Sequence, residues 1–157
     1  MKAVLNPHLI ASLKALSEGE EAPISKLCNM IAALYTDDDH ISWAGIYFID
    51  RHDGHATLGP FQGKPACMTI APHKGVIGAS VDQRQSLYVE DVHAFPGHIA
   101  CDSASESEIV IPLYGGSHIR GVLDIDSDIK AYLEPYMAVE EDLCRLFSHI
   151  LDELLMD

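Results

Sequence analysis

The amino-acid sequence predicts an α+β fold, with a central antiparallel sheet flanked by N- and C-terminal helices. Apolar residues recur at helical spacing near both ends, whereas residues 41–127 contain short alternating segments separated by glycine-containing turns. Strands grouped between terminal helices are typical of an antiparallel sheet with helices on at least one face. Because the chain has no internal repeat and no linker, residues 1–157 are expected to form a single domain.

Three helices are predicted outside the strand region, two before the strands and one after them. Asn6 fits an N-cap followed by Pro7 at the first helical position, and Pro23 begins the second helix. The apolar stripes consist of Leu9, Ile10, Leu13 and Leu16 in the first helix, Ile24, Leu27, Cys28, Ile31, Leu34 and Tyr35 in the second, and Val139, Leu143, Leu146, Phe147, Ile150, Leu151 and Leu154 in the last.

Six segments between these helices have the pattern of strands. They are ISWAGIYFID, HATLGPF, ACMTI, SLYVED, SEIVIPLY and IRGVLDIDS. Turns are predicted at 52–54 and 115–117, where glycines interrupt the alternation. The segment HKGVIGASVDQRQ, between the third and fourth strands, predicts a short helix that begins after a glycine.

The composition excludes several classes of partner. With 24 Asp and Glu against 10 Lys and Arg, the formal net charge is -14. Such a surface repels phosphate backbones and anionic headgroups, so neither nucleic acid nor a membrane surface is expected as a partner. No segment approaches the roughly 18 apolar residues of a membrane span. Because Asn6, Pro7 and Lys14 interrupt the N-terminal apolar run, it does not resemble a signal peptide, and we expect a cytoplasmic protein.

The first strand contains a candidate binding surface. Alternation places Trp43, Gly45 and Tyr47 on one face. A glycine between two aromatic residues leaves a gap, which fits either a core strand with a close backbone approach or an aromatic wall for a small ligand. Periodicity alone favours the core strand.

The last hairpin gathers three acidic residues. A three-residue turn at 115–117 would place Glu108 opposite Asp124, with Asp126 on the same face. Like charges opposed on a sheet destabilise it, so this cluster needs a cation, a shared proton or exposure to water. A solvated acidic face and a partly buried site remain alternatives. A buried cluster could bind an ammonium group, or keep one acid protonated near neutral pH.

The cysteines divide into two pairs. The four residues are Cys28, Cys67, Cys101 and Cys144, whose spacings match neither a zinc motif nor a small secreted disulfide framework, which indicates a reducing compartment. Cys28 and Cys144 lie on or beside helix stripes and are expected to be buried and inert. Cys101 lies in a loop leading to Glu108 and could be exposed beside the carboxylates. His98 and Cys101 have a spacing that could begin a metal site, but no further ligands are indicated, so we expect no metal and no other cofactor.

Four segments carry a resemblance to a known family. They are LGPFQGKPACMTI, GVIG, VEDVHAFPGHIACDSASESEIVIPL and GVLDIDS. From about residue 43 to residue 126, the sequence resembles the free methionine-R-sulfoxide reductases, which are single-domain members of the GAF fold. The resemblance implies a GAF-like fold and thiol-dependent reduction of the R epimer of free, not protein-bound, methionine sulfoxide.

The resemblance also implies roles for individual residues. Cys101 is the implied nucleophile, which attacks the sulfoxide sulfur and becomes a sulfenic acid, and Cys67 resolves it as a disulfide that a thioredoxin-type reductant would reduce. The implied substrate contacts are Trp43, Tyr47, Glu108, Asp124 and Asp126. We expect either Glu108 or Asp126 to protonate the sulfoxide oxygen.

One position departs from the family pattern. Many members have GVCG, with a third cysteine, where this chain has Ile77 in GVIG. We therefore expect a two-cysteine cycle between Cys67 and Cys101. The alternative functions are a non-catalytic GAF module that binds a small molecule and a thiol redox sensor that responds to peroxide. The resemblance and the long apolar closing helix also fit a homodimer.

Overall fold

The structure is a computed structural model that describes residues 1–98 and 104–156. The helices are α1 (Leu9–Ser17), α2 (Pro23–Tyr35), α3 (Gly75–Gln83) and α4 (Glu140–Leu155). The strands are β1 (Ile41–Ile49), β2 (Ala56–Gly63), β3 (Thr69–Ile70), β4 (Leu87–Val89), β5 (Ser107–Gly115) and β6 (His118–Ser127). They form one antiparallel sheet in the order β3-β2-β1-β6-β5-β4. The predicted α+β architecture is confirmed.

Helices α1, α2 and α4 cover one face of the sheet. Their buried apolar side chains form one cluster with alternate residues of β1, β5 and β6, including Ala44, Ile46 and Leu123. Pro23 begins α2 as predicted, because a first-turn residue needs no N–H for the helical ladder. None of the helices in the described ranges has the length and apolar character needed to cross a bilayer.

The buried face of α2 is narrower than predicted. Leu27, Met30, Ile31 and Leu34 are its buried apolar residues, whereas Ile24 is 42% exposed. Cys28 is also exposed, so the expectation of a buried thiol there was wrong. The reason is that Met30 lies on the face of α2 that packs on the core, whereas Cys28 lies on the outward face.

The prediction for Cys144 in α4 agrees better with the structure. This residue is half-buried, and its thiol donates to the carbonyl oxygen of Pro112 at a Sγ–O distance of 3.2 Å. Burial raises the pKa of the thiol, which lowers its nucleophilic character at neutral pH.

The turn of the β5–β6 hairpin is shorter than predicted. Gly115 pairs with His118, so only Gly116 and Ser117 lie in the turn. Gly116 adopts φ 63°, a left-handed conformation that tight hairpin turns favour and that glycine adopts at little cost. A two-residue turn alone would place Glu108 and Asp126 on opposite faces of the sheet.

A bulge in β6 corrects this alternation. Tyr114 pairs with Ile119 but Leu113 pairs with Gly121, which leaves Arg120 as the extra residue. The bulge shifts the register by one residue, so Glu108 lies opposite Asp126. The predicted pairing of Glu108 with Asp124 was wrong. The carboxylates nevertheless share a face, because the shorter turn and the bulge together shift the register by two residues.

Helix α3 lies against the other face of the sheet, where it contacts β5 and β6. A second apolar cluster forms there and includes Trp43, Tyr47, Val76, Ile77, Val110 and Val122. Strands β3 and β4 are shorter than the predicted segments, with two and three residues. Cys67 therefore lies in an irregular segment before β3, so strand alternation does not predict which way its side chain faces.

Candidate active site

A pocket opens between α3 and the second face of the sheet. It holds about 540 Å³ of space free of protein atoms, its open mouth included. Its polar and charged lining residues are Lys74, His98, Ser105, Glu108, Asp124 and Asp126, and its aromatic ones are Trp43 and Tyr47. All five residues implied as substrate contacts thus line one pocket.

The sheet register brings the three carboxylates together. Asp126 of β6 lies between Trp43 of β1 and Glu108 of β5. Asp124 lies two residues earlier on the same strand, between Gly45 and Val110, which places it on the same face. One carboxylate oxygen from each acid lies within 4.8 Å of the others. Because the acids are only 6–8% exposed, the alternative of a solvated acidic face does not hold.

Burial sets the protonation behaviour of this cluster. It raises the pKa of Asp124 well above the ordinary value, and the charges of Asp126 and Glu108 raise it further. Burial also raises the pKa of Glu108, although hydrogen bonds from the other two acids and the charge of His98 act in the opposite direction. Asp124 Oδ1 is buried without a hydrogen-bond partner among the described residues. The cluster therefore favours either a retained proton or a bound cation.

The aromatic wall is tightly packed. The Trp43 ring stacks on Phe61 with 5.5 Å between ring centroids and on Tyr47 with 6.0 Å, and its Nε1 donates to the Lys64 carbonyl oxygen at 3.1 Å. A Cβ at Gly45 would lie 2.5 Å from Trp43 Cη2 and 2.6 Å from Phe61 Cβ. Both interpretations of this strand therefore apply, since Gly45 allows a close approach and the packed aromatic residues face the pocket.

Gly45→Ala is expected to displace the indole and to destabilise the fold by about 1–3 kcal/mol, because the added Cβ overpacks this wall. Trp43 is the single tryptophan of the chain, so its fluorescence reports on the displacement directly. We expect a changed emission maximum together with a lower unfolding midpoint. Gly116→Ala is the control, because it adds backbone strain but its Cβ would meet no atom within 4 Å. An unchanged Gly45→Ala emission spectrum would contradict the packing argument.

Tyr47 connects the pocket to Cys67. Its hydroxyl donates to the Cys67 carbonyl oxygen at 2.9 Å. Burial raises the pKa of Tyr47, and the charges of Asp124, Asp126 and Glu108 raise it further, so the phenol remains a donor at physiological pH. Cys67 is disulfide-bonded, whereas Cys28 and Cys144 are free thiols. Cys101, the predicted nucleophile, lies outside the described residues.

The sequence did not predict the wall formed by α3. Lys74, Gly75 and Val76 line the pocket at the N-terminal end of this helix, and no side chain caps it. Helix N-termini carry a partial positive charge and free N–H groups, and Lys74 adds a full charge. The pocket therefore combines a cationic end with an acidic cluster. The short helix was predicted from the sequence. That its N-terminal end lines the pocket could not be predicted, because this depends on how the helix packs on the sheet.

Two groups of described residues have donor atoms close enough to hold a metal ion. One is the carboxylate cluster, whose oxygen donors suit a hard cation as well as an ammonium group. The other comprises Asp91, His93 and Glu106 at the surface. Its groups already have partners, since His93 Nε2 lies 3.1 Å from Glu106 and Lys130 Nζ lies 3.4 Å from Asp91.

Comparisons with known proteins agree with this architecture, although no protein-family model matches the chain. It is 50% identical over 115 residues to the free methionine-R-sulfoxide reductase of Escherichia coli (strain K12), which covers 73% of this chain and 68% of that protein. The structure of free methionine-R-sulfoxide reductase from Neisseria meningitidis in complex with its substrate superimposes with a TM-score of 0.84 and 30% identity, over 98% of this chain and 93% of that chain.

The fold itself is equally well matched. A solved GAF domain superimposes with a TM-score of 0.80 and 32% identity, covering 95% of this chain and 86% of that one. This similarity confirms the predicted GAF-like fold. From its identity to the Escherichia coli protein and its superposition on the Neisseria meningitidis structure, we conclude that the chain belongs to the free methionine-R-sulfoxide reductase family.

Proposed function

We propose that this protein reduces free L-methionine-(R)-sulfoxide to methionine. The observation that carries the proposal is the buried cluster of Glu108, Asp124 and Asp126 next to the Trp43 and Tyr47 wall. The three carboxyl groups are buried, and burial raises the pKa of both Glu108 and Asp124. A small cationic group that enters the pocket would therefore be bound strongly.

The charges of the pocket match a free amino acid. The ammonium group would pair with the acidic cluster, and the carboxylate would lie at the N-terminal end of α3 near Lys74. A methionine residue within a polypeptide has neither charge, because both groups are amides. It would offer the buried acids no ammonium group, so the pocket would select free methionine sulfoxide over the protein-bound form.

The aromatic wall would hold the other end of the substrate. The indole of Trp43 and the ring of Tyr47 offer apolar surface to the methyl and methylene groups beside the sulfur. A protonated carboxyl group, from Glu108 or Asp126, would donate its proton to the sulfoxide oxygen as the sulfur is attacked. The cluster would thus bind one end of the substrate and activate the other.

The chemical steps balance with two thiols. The Cys101 thiolate attacks the sulfoxide sulfur, and the oxygen, after protonation, is transferred to Cys101, which leaves methionine and a sulfenic acid. The Cys67 thiol then attacks the sulfenic sulfur, forming a Cys67–Cys101 disulfide and releasing water. A thioredoxin-type dithiol would reduce this disulfide and become a disulfide itself. Ile77 lines the pocket without a thiol, which supports a two-cysteine cycle.

The decisive experiment compares substrates in a thioredoxin-coupled assay. Free methionine-R-sulfoxide should be turned over, whereas free methionine-S-sulfoxide, N-acetylmethionine-R-sulfoxide and a peptide containing methionine sulfoxide should not. Failure to turn over the free R epimer would overturn the proposal. Binding of a ligand in this pocket without turnover would instead support the non-catalytic GAF module.

A further inference from the structure

The hydroxyl of Ser105 is a buried donor that no other described residue uses. The residue is 4% exposed and lines the pocket. Its Oγ has no hydrogen-bond partner in residues 1–98 and 104–156. A buried hydroxyl without a partner destabilises a fold, and native proteins rarely retain one without a reason. Its place in the pocket wall indicates that its partner is a bound ligand.

The backbone next to Ser105 is fixed. The Glu106 N–H donates to the Ser127 carbonyl oxygen at 2.8 Å, and the Glu106 carbonyl accepts from the Val92 N–H at 3.0 Å. Two residues further on, Glu108 pairs with Asp126 across the sheet. The backbone that follows Ser105 is therefore hydrogen-bonded on both sides. It continues into β5, where Glu108 lies opposite Asp126.

The chemistry of the ligand decides which group the hydroxyl contacts, and this step rests on the proposed function. Free methionine sulfoxide has two strong acceptors, its carboxylate and its sulfoxide oxygen. The carboxylate is matched by Lys74 and the N-terminal end of α3. Either Glu108 or Asp126 is expected to protonate the sulfoxide oxygen, and Ser105 lies three residues before Glu108 in the chain. We propose that Ser105 donates a hydrogen bond to the sulfoxide oxygen of the bound substrate.

This bond would distinguish substrate from product. The thioether sulfur of methionine is only a weak acceptor, so the product cannot replace the sulfoxide oxygen. Ser105 would therefore strengthen binding of the oxidised form and favour release of methionine. It would act as a substrate-contacting residue that contributes to discrimination between the two redox forms.

Ser105→Ala tests the proposal through three measurements: the KM for the substrate, the inhibition constant of the product and the unfolding midpoint. We expect the KM for free methionine-R-sulfoxide to rise roughly tenfold, as for loss of one hydrogen bond at a buried site, while the inhibition constant of product methionine stays unchanged. Because the hydroxyl has no partner among the residues that the structure describes, the unfolding midpoint should not fall. A structural hydroxyl would give the opposite result, with lower stability and an unchanged KM.

Ser107→Ala is the matched control. Its hydroxyl is equally buried but donates to the Ile129 carbonyl oxygen at 2.7 Å, so we expect lower stability with an unchanged KM. Wild-type turnover together with an unchanged Ser105→Ala KM would overturn this inference alone, as would equal weakening of substrate and product. A wild-type protein without turnover would overturn the proposed function and this inference with it.

Discussion

Asp124→Asn is expected to lower kcat/KM for free methionine-R-sulfoxide by roughly 10²- to 10³-fold, the usual effect of removing one partner of a buried charge pair. Asparagine keeps the shape of the side chain but cannot ionise, so it removes the negative charge that the ammonium group of a bound substrate would stabilise on Asp124. Because Asp124 is 6% exposed, water cannot screen or replace that charge. Steady-state kinetics with the thioredoxin-coupled assay measures the loss.

The same substitution is expected to make the unliganded protein more stable at alkaline pH. Burial raises the pKa of Asp124, and the neighbouring acids add to the shift. As the pH rises above the ordinary range of an aspartic acid, the unfolded chain releases this proton while the folded chain retains it. The folded state then binds more protons than the unfolded state, so stability falls with rising pH until the raised pKa is passed.

Thermal unfolding of wild type and variant at pH 5 and pH 8 tests this sign. The wild type should lose stability between the two pH values, and Asp124→Asn should lose less. Asp128→Asn is the control, because Asp128 is four residues further along the chain, its side chain is 50% exposed and its partner is His40. A variant that retained either the wild-type kcat/KM or the wild-type pH slope would contradict the role given to the buried charge.

The faces of the sheet could be predicted, but its register could not. Alternation in β1 separates Trp43 and Tyr47 from Ala44 and Ile46, and the structure places these pairs in different clusters. Which face of a strand each residue occupies follows from local alternation, which can be seen directly in the sequence. The pairing of Glu108 depends instead on the length of a turn and on the bulge at Arg120, which do not change the apolar pattern of the strands that they connect.

The candidate site could be predicted to a similar extent. The acids and aromatic residues lie on neighbouring strands, so their shared face brings them together without knowledge of the helices. Ser105 and Lys74 lie in irregular chain and at a helix end, where no periodicity applies. Their position in the pocket results from how α3 and the segment before β5 pack on the sheet. The sequence alone therefore could not predict that Ser105 lines the pocket and that Ser107 does not.

The cysteine cycle gives the largest expected effect. Cys101→Ser should lower turnover by at least roughly 10³-fold, since loss of a nucleophile removes the covalent step altogether. Cys67→Ser should still release one methionine per chain without reductant, because the sulfenic acid can form but cannot be resolved. Methionine release in a single turnover, measured beside thioredoxin-coupled turnover, separates the two roles.

Peptide mapping after oxidation by substrate identifies the disulfide itself. In wild type, two thiols per chain should be lost and the peptide containing Cys67 should be linked to the peptide containing Cys101. Cys28 and Cys144 are free thiols, and the double variant Cys28→Ser/Cys144→Ser should keep wild-type turnover. A link from either of these residues to Cys67 would contradict the cycle, because it would assign resolution to a thiol on α2 or α4. Those helices cover the opposite face of the sheet from the pocket, so a link to either thiol would place resolution away from the buried acids.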